Sequence, residues 1–145
     1  MGDTDLINLI NEILAKVHTV AVVGLSNKPD RASYGVSAQM QRRGYRIVPV
    51  NPRAVPVLGE TSYAKLGDIP FPVDMVNVFR KPEYIPEIVD QVIAIGAPYL
   101  WLQEGIEHPE AEAKARAHGI RVVSNHCFFK EHLRWTADLR FGPQP

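Results

Sequence analysis

Short runs of apolar, mostly β-branched residues recur along this chain. Each ends in a Gly or a polar loop before a stretch of helical character begins. The runs are Thr19–Gly24, Tyr45–Val50, Val73–Phe79, Tyr99–Gln103 and Ile120–Ser124. Apolar runs this short suit central strands buried on both faces, the pattern of a parallel sheet. Between them, helices are predicted from Ser33, as cap, to about Arg43, from Pro82 to Ile95 and from Pro109 to His118. Gly44, Gly96 and Gly119 follow these segments, where helices favour glycine. Leu6, Ile10, Ile13, Leu14 and Val17 form an apolar stripe on an N-terminal helix over 4–17, capped by Asp3 or Thr4. Asn51–Gly59 reads as a loop with at most a short strand, and Ser62–Leu66 as one helical turn. A closing helix is expected over Cys127–Trp135, with a tail from Phe141. Alternating strands and helices predict an α/β fold: Rossmann-like, doubly wound, three-layered, with a mostly parallel sheet of about five strands. Residues 1–145 show no repeat or linker and read as one domain with its core over 19–135.

Composition narrows the partners. Lys plus Arg equals Asp plus Glu at 16 each, so the formal net charge is zero. Such a chain exerts no long-range pull on nucleic acid or an anionic membrane, so neither is expected as a partner. The lone cysteine, Cys127, allows no internal disulfide and suits a reducing compartment. Acids precede the first apolar residues, Leu6 stands where a myristoylation motif wants Ser or Thr, and no window approaches a membrane span. A soluble, cytoplasmic monomer or homodimer is expected.

In open α/β sheets, ligands sit beyond the C-terminal ends of the strands. Those ends carry Gly24, Leu25, Ser26 and Asn27, then Asn51, Pro52 and Arg53, then Phe79, Arg80 and Lys81, then Gln103, Glu104 and Gly105. Gly24 permits a tight turn near a ligand, Ser26 and Asn27 offer short polar side chains, and Lys28 and Arg31 add positive charge. A helix beginning near Ser33 and Tyr34 would point free N–H groups at an anion such as a phosphate. The glycines do not fall as G-x-G-x-x-G. The acid that would hold a free ribose hydroxyl at the end of the second strand is replaced by Asn51-Pro52-Arg53. A phosphorylated ribose fits that position, as in NADP or coenzyme A.

The stretches V20-A-V-V-G-L-S, P29-D-R-A-S-Y, G44-Y-R-I-V-P-V-N-P, V73-D-M-V-N-V-F-R, W101-L-Q-E-G and V122-V-S-N-H-C occur in order over nearly the whole chain. In this the sequence resembles the stand-alone CoA-binding protein family, itself similar to the N-terminal CoA-binding domain of succinyl-CoA synthetase α subunits. The resemblance implies a Rossmann-type fold that binds coenzyme A or an acyl-CoA through its adenosine-diphosphate end. It implies that Gly24 and Ser26 face the pyrophosphate and that Asn51 and Pro52 line the adenosine pocket. It also implies that Arg31 and Arg80 meet phosphate or rim, and that Gln103 and Gly105 lie at the mouth. The choice of coenzyme A over NADP rests on the resemblance alone. The family often has Asp-Arg before the late cysteine, where this chain has Asn125-His126-Cys127, so no role of that Arg carries over.

Asn125, His126, Cys127, Glu131 and His132 form no convincing catalytic or zinc-binding set by spacing, and neither a catalytic residue nor a metal ligand is assigned. Ligase chemistry of the synthetase type needs a phosphohistidine from a further domain. The expected function is therefore binding without catalysis, with an unknown protein as a possible partner. The alternative is a small NADP-dependent oxidoreductase or another nucleotide-binding enzyme.

Overall fold

The computed structural model describes residues 3–142. Helix α1 (Asp3–Lys16) leads into strand β1 (Thr19–Val23), helix α2 (Ala32–Arg42) and strand β2 (Arg46–Val50). Strand β3 (Met75–Val78), helix α3 (Ile85–Ile95), strand β4 (Tyr99–Leu102), helix α4 (Pro109–Ala117), strand β5 (Arg121–Val123) and helix α5 (Phe128–Phe141) follow. The strands form one sheet in the order β2-β1-β3-β4-β5, and every pairing is parallel. This is the expected Rossmann-like α/β fold.

Side-chain alternation sorts the strands onto two cores. Val20, Val22, Met75, Trp101 and Val123 face a layer made by α1, α2 and α5, where they meet Leu9, Ile13, Met40 and Phe128. Ala21, Val76, Val78, Leu100, Leu102 and Val122 face the other layer, where Ile85, Ile88, Val89 and Val92 of α3 meet Ala111 and Ala115 of α4. Trp101 is fully buried, and its indole N–H donates to the carbonyl of His126 at 2.8 Å.

Several boundaries differ from expectation, each for a local reason. Arg31, not Ser33, is the extended residue that opens α2; Ser33 lies inside the helix, and its hydroxyl accepts the N–H of Ser26 instead. Asp3 and Thr4 fall within α1. Ser62–Leu66 is not a helical turn: Tyr63 bridges Val50 on the open edge of β2, and a 3-10 turn comes later, at Leu66–Asp68. Pro82–Tyr84 is also 3-10, and α-helix begins only at Ile85. Helix α5 continues past Trp135 because Arg134 pairs with Glu131 and Asp138 on its own helix and with Asn11 of α1. Phe141 therefore ends a helix and does not open the tail.

His132, assigned no role from the sequence, is buried between the rings of Tyr45 and Trp135, with centroids at 5.7 and 5.5 Å. Burial, and then the charge of Arg43, hold its pKa below the ordinary histidine value. The folded state resists a proton that the unfolded chain accepts. Stability should therefore fall as pH drops through the usual histidine range, then level off below the folded pKa. Urea midpoints measured from about pH 8 to about pH 5 should show this slope, and His132→Phe should flatten it. An unchanged slope in the variant would assign the pH dependence elsewhere.

Candidate functional site

The crevice lies where strand order reverses, at the C-terminal ends of β1, β2 and β3. Gly24 is its pivot. It has φ of +86°, its N–H donates to the carbonyl of Val50, and the N–H of Phe79 donates to the carbonyl of Val23. These bonds draw three chain segments together. A Cβ on Gly24 would lie 2.9 Å from the carbonyl oxygen of Phe79 and 3.0 Å from Cδ of Arg80. Only glycine meets both the conformation and the close approach.

Three adjoining cavities open around this point. One of about 280 Å³ is lined by Leu25, Ser26, Asn27, Asn51, Pro52, Arg53 and Val55. A second, of about 260 Å³, shares Asn51 and Pro52 and adds Gly24, Lys65, Arg80, Tyr84 and Glu87, among others. A third, of about 340 Å³, is lined by Gly24, Ser26, Lys28, Arg31, Ala32, Ser33 and Phe79. The loop is pre-shaped: Ser26 Oγ accepts the N–H of Lys28, and the Ser26 N–H donates to Ser33 Oγ. Helix α2 begins there with no side-chain cap and no acid in its first turn. Its leading N–H groups and the helix dipole favour a negative group in the third cavity.

Charge is distributed unevenly. Lys28, Arg31, Arg53, Lys65 and Arg80 all line the crevice. None is ion-paired among the described residues, where the pairs are made by Lys114, Arg116, Arg121, Lys130 and Arg134. A net-neutral chain thus holds a local basic rim able to bind several phosphate charges.

Most residues singled out from the sequence therefore come together here. Five do not line these cavities, among them Lys81, which precedes the turn Pro82–Tyr84, and Glu104, which pairs with Lys130 at 2.9 Å. Gln103 is buried, and its amide oxygen accepts the N–H of Phe128, the first residue of α5. It serves a helix N-terminus and not the mouth of the crevice. Tyr34 packs against the apolar layer under α2. Gly105 has φ of +84°, and its N–H donates to Oδ1 of Asn125. Asn51 lines the crevice, but its amide also staples its own loop, accepting the N–H of Val55 at 3.1 Å. Lys65 and Tyr84 were not anticipated. Tyr84 follows Arg80 by four residues, a spacing at which side chains on a turn or helix meet.

Residues 18–133 match the CoA binding domain. The chain belongs to that family. It is 40% identical over 123 residues to the uncharacterized protein YneT of Bacillus subtilis, covering 85% of this chain and 91% of that one. It is 28% identical over 116 residues to the ADP-forming acetate–CoA ligase II of Archaeoglobus fulgidus, where the match spans 72% of this chain but only 17% of the ligase. The fold also superposes on a hypothetical protein from Pyrococcus horikoshii with a TM-score of 0.86 at 37% identity, covering 90% of this chain and 92% of the other. Among the described residues of this family member, no helix is long and apolar enough to cross a membrane.

Proposed function

We propose that this chain binds coenzyme A or an acyl-CoA through its adenosine-diphosphate end and 3′-phosphate, in the crevice around Gly24. It acts as a binding module that holds or presents the ligand and catalyses no step of its own. The observation that carries this reading is the gathering of Lys28, Arg31, Arg53, Lys65 and Arg80, none of them ion-paired among the described residues, around one crevice of a net-neutral chain of this family. The residues fit the ligand's chemistry. The uncapped start of α2 suits a pyrophosphate, and Arg53 at the end of β2 suits a phosphorylated ribose.

Calorimetric titration with coenzyme A, 3′-dephospho-CoA, NADP and NAD tests the reading. Coenzyme A should bind, and dephospho-CoA about tenfold more weakly, a difference of about 1.4 kcal/mol. Arg53→Ala should erase most of that gap. Absence of coenzyme A binding at millimolar ligand would overturn the proposal. Tighter binding of NADP would redirect it to a hydride-transfer cofactor.

A further inference from the structure

Tyr84 is the large aromatic side chain left exposed beside the crevice, at 39% accessibility. It sits at the end of the 3-10 turn Pro82–Tyr84, directly before α3. The guanidinium of Arg80 lies over its ring, with Cζ 4.2 Å from the centroid. The stem of Arg80 is confined on the other side, close enough to Gly24 that a Cβ there would sit 3.3 Å from Cγ. Glu87, in the first turn of α3, lines the same cavity. Yet Glu87 and Arg80 form no ion pair.

Tyr84 and Glu87 line the same cavity as Arg80 and engage a guanidinium in different ways. A ring engages the flat face of a guanidinium and leaves its in-plane N–H donors free. A carboxylate takes those edge donors, the same ones a phosphate would use. Stacking on Tyr84 thus leaves Arg80 confined with its edge donors free, while pairing with Glu87 would occupy those donors. We propose that Tyr84 is a positioning residue that withholds Arg80 from Glu87 and presents its free edge to an anionic group of the ligand. This rests on the phosphate-binding reading above.

The test is a cycle of coenzyme A titrations on wild type, Tyr84→Leu, Glu87→Gln and the double variant, with Tyr84→Phe as the conservative control. Tyr84→Leu should weaken binding about threefold to tenfold, and Tyr84→Phe should recover most of the loss. Glu87→Gln should strengthen binding more in the Tyr84→Leu background than in wild type, because only there is Arg80 captured. Equal effects of Glu87→Gln in both backgrounds would overturn the proposal, as would wild-type affinity in Tyr84→Leu. A ligand-free measurement separates the two readings. The Arg80 side-chain protons should show an upfield ring-current shift in the NMR spectrum that Tyr84→Leu abolishes. That shift without coenzyme A binding by wild type would sink the binding reading, and the proposal with it. Coenzyme A binding without Tyr84–Glu87 coupling would sink the proposal alone.

Discussion

Gly24→Ala is expected to destabilise the fold by about 2–4 kcal/mol and to weaken ligand binding together with it. Two penalties combine. A left-handed backbone costs an L-residue about 1–2 kcal/mol, and Gly24 has φ of +86°. The new Cβ would also lie 2.9 Å from the carbonyl oxygen of Phe79. That oxygen cannot withdraw easily. The same residue's N–H is bonded to Val23 at 2.9 Å, and Gly24 is bonded to Val50 at 2.9 Å, so relief would pull β1 from β2 or β3. The cheaper adjustment, movement of the Arg80 stem, removes that cation from its place. Gly44→Ala isolates the two penalties. Gly44 also has positive φ, at +99°, but a Cβ there meets nothing within 4 Å. Its substitution should cost only the conformational part, about 1–2 kcal/mol. Denaturant unfolding of both variants checks this, and equal losses would show that close approach at Gly24 carries no weight.

The strands could be read from the chain because burial on both faces leaves a continuous apolar run, and a loop of different composition must follow. Their order could not. That β3 adds beside β1 depends on the register of Val20–Val23 with Met75–Val78, a pairing between segments that no local pattern links. Element ends moved for a similar reason. Tyr63 is drawn to the edge of β2, and α5 is extended where Arg134 reaches Asn11, 123 residues away in sequence. In the crevice, turn chemistry and charge marked Gly24, Ser26, Arg31, Arg53 and Arg80 because these residue types have few other reasons to cluster at strand ends. Gln103 is ambiguous in the sequence because a polar side chain at a strand end has two possible uses. The orphan N–H of Phe128 takes it, and only the docking of α5 shows that. Tyr84 escaped notice because an aromatic next to a helix start reads as packing until its partner is seen to be Arg80.

Arg31→Ala and Arg80→Ala should each weaken coenzyme A binding about tenfold, and the double variant about a hundredfold. The two cations line different cavities that meet at Gly24, one beside the start of α2 and one beside the start of α3. Neither has a carboxylate partner, so removing either loses ligand contact without stranding a buried charge. Independent contacts with different parts of a phosphorylated ligand add. Two cations that must grip one phosphate together would not, because the loss of either already forfeits the joint contact. A double variant no weaker than either single would therefore place both residues on one group. Arg46→Ala is the control for overall charge. Arg46 opens β2 at the N-terminal end of the strands, the end opposite the crevice, and stacks on Phe71 at 3.9 Å. Its loss changes net charge by the same amount far from the crevice. With a Debye length near 10 Å at about 0.1 M salt, that distant charge is largely screened, so affinity should hold in Arg46→Ala and fall in the crevice variants. Comparable losses at all three positions would mean that the ligand senses the charge of the whole molecule and not the cations gathered around Gly24.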